Sequence, residues 1–330
     1  MNLGPEVTTA GIEEASRAVD PVFRDSPQFV CEPISARLDV ITVLKVETIN
    51  PIRSFKGRGA DYLLTRLGEA AGSLVCASAG NFGQGMAYAA RRRGLRLTVF
   101  AATNANPLKV ERMRALGAEV VQEGDDFDAA KAAARDHSEA TGGTFIEDGL
   151  LGPIAEGAGT IAVELIRLPD PIDAVFVPLG NGSLINGIGT WLRHASPRTR
   201  VVAVVAAGAP AMEISWREGR PVATESIDTI ADGIAVRVPV AEALGIMRST
   251  VDEVVTVTDD EILASMGMLF GDAGLVVEPA GAAGLAGIAQ RRSEWTGKRV
   301  ATPLCGSNLT AEQVAAWLRP EPKKEKTAGR

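Results

Sequence analysis

The chain has 330 residues, long enough for two lobes or one large α/β domain, and 46% of them are hydrophobic against 5% aromatic, a globular composition rather than a fibrous or disordered one. Its net charge of −7, from 34 basic and 41 acidic side chains mixed along the chain, leaves no basic stripe for a nucleic-acid partner. No apolar run reaches the ~20 residues of a bilayer span, and the N-terminus lacks the basic start and apolar stretch of a signal peptide, so a cytoplasmic protein without membrane contact is expected.

Short apolar runs, several of them ending at Gly, predict buried strands over residues 74–80, 97–102, 118–124, 174–182, 201–208, 251–259 and 300–307. Helical spacing falls between them, over 84–93, 107–116, 127–139 and 261–270. Strand and helix alternate, which predicts an α/β fold with doubly wound, mainly parallel sheets and ligands gathering where strands hand over to helix N-termini. There is no internal repeat or Pro/Ser-rich linker. The charge run Lys323, Lys324, Glu325 and Lys326, beyond Pro320 and Pro322, reads as a solvated tail.

Four segments carry the chemistry. Ser54-Phe55-Lys56-Gly57 places one lysine at the start of a helix, where a protected amine can condense with an aldehyde. Ser78-Ala79-Gly80-Asn81 follows a strand, its glycine leaving N–H groups bare for a carboxylate while Asn81 adds a directional amide. Gly180-Asn181-Gly182-Ser183-Leu184 has the form of a phosphate cradle at a helix N-terminus, without the dinucleotide fingerprint or a Walker-type GK[ST]. The last, Cys305-Gly306-Ser307-Asn308, ends a strand with a thiol and a hydroxyl near a tight turn. The three cysteines, Cys31, Cys76 and Cys305, are widely spaced, and His137 and His194 are the only histidines. A disulfide framework, a metal site and a Ser-His-Asp triad are therefore not expected.

In order, SFKGRGA, SAGNFGQG, GNGSL, ADGIAV, EPAGA and CGSN resemble the fold type II pyridoxal-phosphate enzymes, and most closely the serine/threonine dehydratase (ammonia-lyase) branch, over roughly residues 20–315. The resemblance implies a tryptophan synthase β-like fold of two lobes with the cofactor in the cleft between them. Residues 1–55 and 165–330 would form the large cofactor-binding domain, and 56–164 a small mobile one. It further implies Lys56 as the Schiff-base lysine and proton carrier. Phe55, Asn81, the Gly180, Asn181, Gly182, Ser183 and Leu184 loop, Glu278, Cys305 and Ser307 would lie around the cofactor, with Asn81 donating to its ring hydroxyl and Cys305 facing its pyridine nitrogen. Ser54 and the Ser78, Ala79, Gly80 and Asn81 loop would receive the substrate carboxylate. A homodimer is implied as well.

A neutral thiol at the pyridine makes the cofactor a weak electron sink, which favours elimination from a small β-hydroxy or β-substituted L-amino acid, giving a 2-oxo acid and ammonia. Capture of the same aminoacrylate by a nucleophile, as in cysteine synthases, is the alternative. A pyridoxal-phosphate-binding protein without turnover and a nucleotide-binding Rossmann protein are further readings, the latter leaving Lys56 unexplained. Where racemases of the group carry a second Ser, this chain has Ala79; Val205 stands where some relatives have a metal-binding Glu. FIEDGLLGP at 145–153 replaces the usual FIHPFDDP, and Phe82 stands where many relatives have His. Both departures fall on the expected substrate side. Asp232 reads as structural, and Glu278 as either packing or a support of the cofactor's neighbours.

Overall fold

The structure is a computed structural model that describes residues 3–68 and 72–318; the charge run at 323–326 lies outside them. In chain order the elements are α1 (Thr9–Ala18), β1 (Gln28–Val30), α2 (Glu32–Leu38), β2 (Ile41–Val46), α3 (Lys56–Leu67), β3 (Leu74–Ala77), α4 (Asn81–Arg92), β4 (Leu97–Ala101), α5 (Pro107–Ala115), β5 (Glu119–Gln122), α6 (Phe127–Thr141) and β6 (Thr144–Ile146). There follow α7 (Gly152–Leu165), β7 (Ala174–Pro178), α8 (Ser183–Ala195), β8 (Arg200–Ala206), α9 (Ala211–Glu218), α10 (Ala241–Thr250), β9 (Glu253–Val257), α11 (Asp259–Ala273), α12 (Pro279–Gln290), β10 (Arg299–Leu304) and α13 (Ala311–Trp317).

The strands form two sheets. One has the order β1-β2-β10-β7-β8-β9 and the other β5-β4-β3-β6. All pairings are parallel except β1 with β2. Helices cover both faces of the central strands, which is why β7 and β8 read as nearly continuous runs of Val, Ala and Phe. The strands stop short of the apolar runs that predicted them. After Pro178 the chain leaves β7 through Gly180 and Gly182, whose φ of +96° suits only glycine, and α8 begins at once. Likewise α4 starts at Asn81, three residues ahead of the predicted start at Gln84.

The helix that carries Lys56 is held by close backbone approach. A Cβ on Gly157 of α7 would lie 2.5 Å from the Arg58 carbonyl oxygen of α3, and one on Gly187 of α8 would lie 2.0 Å from the Ala155 oxygen of α7. Glycine at these points lets α3, α7 and α8 pack without a side chain between them. Beneath them Arg58, fully buried, donates to both Glu47 and Glu164, and Lys45 of β2 adds a bond to Glu164 at 2.5 Å. Each buried charge thus has partners of opposite sign. Among the described residues no helix is long and apolar enough to cross a membrane.

Candidate active site

The C-terminal ends of strands from both sheets open into one cavity of about 690 Å³. Its lining takes in Phe55 and Lys56 at the start of α3, Ser78, Ala79, Gly80 and Asn81 between β3 and α4, the run from Gly180 to Leu184, and Glu278 and Cys305. Four segments spread over some 250 residues of sequence therefore meet, as expected where parallel strands deliver loops to one edge.

Lys56 is the first residue of α3, and its Nζ stands 2.5 Å from Asp148 Oδ2, 4.9 Å from the Phe55 ring centre and 5.9 Å from that of Phe82. The other carboxylate oxygen of Asp148 accepts from Ser183 Oγ at 2.7 Å. One carboxylate thereby joins the lysine amine to the first residue of α8. Around that helix start, a Cβ on Gly180 would lie 2.9 Å from the Gly233 oxygen and one on Gly182 2.9 Å from the Ala243 Cβ, and no side chain caps the helix. The α8 N-terminus thus presents bare N–H groups and the positive end of its dipole to the cavity.

On the far wall Glu278, 2% exposed, accepts from Asn81 Nδ2 at 2.6 Å and from the Asn308 N–H at 2.9 Å, while Asn308 Nδ2 donates to Asn81 Oδ1 at 2.7 Å. The Asn81 amide is fixed in one orientation. Burial pushes the Glu278 carboxyl above its usual range, against the pull of the Lys109 ammonium. Lys109, buried on α5, pairs with Asp232; burial would lower it, but Glu278 and Asp232 outweigh that and hold the ammonium above its ordinary range. Asp232 therefore stands on the cavity wall as an ion-pair partner. The Cys305 thiol approaches the Ala280 oxygen at 3.6 Å, and burial, with the Glu278 charge behind it, pushes it far above the usual thiol range, so it is neutral.

Two expected residues do not reach the cavity. The Ser54 hydroxyl, fully buried, donates to the Cys305 carbonyl at 3.1 Å and accepts from the Lys56 N–H at 3.3 Å, strapping the lysine segment to the end of β10. Ser307 donates to the Val276 oxygen at 2.6 Å. Asp148 and Lys109 were missed. Asp148 lies in the 145–153 segment that departs from the dehydratase pattern, which was the available signal; Lys109 sits in an ordinary-looking helix and gave none.

The profile of the pyridoxal-phosphate-dependent enzyme family matches residues 19–306. The chain belongs to that family. Among relatives within it, the chloroplastic biosynthetic threonine dehydratase of Arabidopsis thaliana is 36% identical over 275 residues, covering 82% of this chain and 46% of its own length. The L-threonine ammonia-lyase of Geobacter sulfurreducens is 36% identical over 311 residues, covering 92% of this chain and 76% of its own. The chain spans about half the length of several biosynthetic threonine dehydratases that it matches. Among solved structures, the processed threonine deaminase isoform 2 of Solanum lycopersicum superposes with a TM-score of 0.86 at 28% identity, covering 96% of this chain and 97% of that one. Maize serine racemase gives 0.89 at 26% identity, covering 94% and 96%.

Proposed function

We propose that this chain is a lyase that removes the β-substituent of a small L-amino acid and releases a 2-oxo acid and ammonia. The observation that carries the reading is the Lys56–Asp148–Ser183 contact, which sets a reactive amine beside a bare helix N-terminus in one cavity. The residues fit pyridoxal phosphate. In this reading Lys56 would hold its aldehyde, the run Gly180–Leu184, whose glycines leave no side chain at the start of α8, would take the phosphate, and Asn81 and Cys305 would lie beside the ring. When bound, the cofactor supplies an electron sink for charge developing at the substrate's α-carbon.

The chain's own groups do the rest. The Lys56 amine would accept the α-proton of the substrate. The N–H groups around Ser78–Asn81 hold the substrate carboxylate at the start of α4, and Glu278 and Asn308 keep the Asn81 amide turned toward the ring hydroxyl. Ala79 has no proton to return from the opposite face, which supports elimination over racemisation. The neutral Cys305 thiol withholds a proton from the ring nitrogen and keeps the sink weak. Residues 56–164 are read as a small mobile domain and the whole as a homodimer, tested respectively by hydrogen exchange with and without ligand and by sedimentation.

The test is 2-oxo acid release from L-serine, L-threonine, 3-hydroxyaspartate, phenylserine and 2,3-diaminopropionate by the purified holoprotein. Turnover of at least one, with ammonia in equal amount, is expected. Formation of a new amino acid with an added nucleophile, and no 2-oxo acid, would replace elimination with β-replacement.

A further inference from the structure

Asp148 is the carboxylate whose cation the chemistry takes away. Its side chain is 13% exposed, and its recorded partners are the Lys56 amine and the Ser183 hydroxyl. On the reading of Lys56 above, that nitrogen would be committed to the cofactor, where the ring oxygen would meet any positive charge on it, and it would not pair with Asp148 as a free ammonium. Asp148 is then left largely desolvated, facing the cavity, with one neutral hydrogen-bond donor. A carboxylate in that setting is costly unless a cation meets it.

The neighbouring cations are already engaged. Lys131 lies 3.0 Å from Glu147, Lys109 pairs with Asp232, and Arg237 pairs with Asp128. Acidic side chains outnumber basic ones on the cavity wall, and apart from Lys56 each basic side chain described there already has a carboxylate partner. The charge must come from the ligand. We infer that Asp148 determines specificity by pairing with a cation on the substrate's side chain, so that the amino acid handled is a β-substituted one carrying a second ammonium group, in preference to serine or threonine. A side chain ending in a carboxylate would be repelled.

This inference rests on the cofactor reading, and its experiment separates the two. L-2,4-diaminobutyrate and L-2-aminobutyrate share a carbon skeleton and have no leaving group on the β-carbon, so their dissociation constants can be read from the change each makes in the visible absorbance of the holoprotein. Wild type is expected to bind the diamino acid at least about tenfold more tightly, the size of one charge-assisted hydrogen bond. In Asp148→Asn the ratio of the two affinities falls to about one, whatever its affinity for aminobutyrate becomes, and Asp148→Glu keeps part of the preference, which a merely structural role would not produce. A wild type that holds the cofactor but shows no preference, or a preference that survives in Asp148→Asn, overturns the inference alone. Absence of any lysine-bound cofactor band in the wild type overturns the reading beneath it as well.

Discussion

At the scale of single residues, the site is built from groups whose partners are far away in the sequence. Glu278 is the clearest case. Its two oxygens receive the Asn81 amide and the Asn308 N–H, and Gly306 packs so close that a Cβ on it would lie 2.2 Å from Oε1. Glu278→Gln turns one acceptor into a donor that faces another donor, and a loss of about 1–3 kcal/mol in stability by denaturant titration is expected. An unchanged midpoint would mean the Asn81 orientation is set elsewhere. Cys305→Ala, by contrast, removes a neutral thiol that makes a long bond to the Ala280 oxygen. It is expected to keep cofactor binding and part of any turnover; complete inactivation would show that the thiol does more than stay uncharged. Lys56, Asn81 and the 180–184 glycine loop were legible because each announces itself in a short motif. Asp148 and Lys109 were not, since each acquires its role from a partner 92 or 123 residues away.

At the scale of elements, two features hold the lysine helix. The first is the ionic cluster under α3. Burial pushes the Glu164 carboxyl up, but the Arg58 hydrogen bonds and charge, together with Lys45, outweigh it and bring it down to about 2 from an ordinary 4.5. A depressed carboxyl contributes stability that is present above the unfolded value and is lost as pH falls through the folded one. The window is therefore from about 4.5 down to about 2. In Glu164→Gln the fall of stability across that window should be shallower, measured by urea unfolding at a series of pH values; an unchanged slope would assign acid sensitivity to other groups. The second feature is glycine packing. Gly187→Ala drives a methyl into the Ala155 carbonyl and should cost about 1–3 kcal/mol, whereas Gly245→Ala, in α10 with nothing within 4 Å, should gain about 0.5–1 kcal/mol. Equal effects would deny that α7 and α8 need glycine where they cross. The same cluster explains a strand that the apolar pattern did not reveal. Lys45 interrupts the run in β2, and its buried bonds to Glu164 and to the Ser26 carbonyl make a lysine tolerable there. Strands β1 and β6, at three residues each, are too short to show a pattern.

For the molecule as a whole, the alternation of apolar runs and helical spacing was enough to predict an α/β chain with parallel sheets, because strands buried on both faces leave continuous apolar stretches. What it did not reveal is that the chain divides its strands between two sheets whose edges face one cavity. That division is written in long-range pairings such as β2 with β10, which join residues near 45 to residues near 300. Family motifs recovered the cleft by resemblance. Ser54 and Ser307 fell outside it because a motif records which residues occur together without saying which way each side chain turns.

The central claim is that Lys56 holds pyridoxal phosphate and works with it in elimination. The most direct measurement compares wild type with Lys56→Ala, each saturated with cofactor, for the visible absorbance of the lysine-bound group and for ammonia released from the amino-acid panel. The account predicts an absorbance band and ammonia matched by 2-oxo acid in the wild type, and neither in a Lys56→Ala protein that remains folded by circular dichroism. A Lys56→Ala variant that keeps the band and the turnover would contradict it.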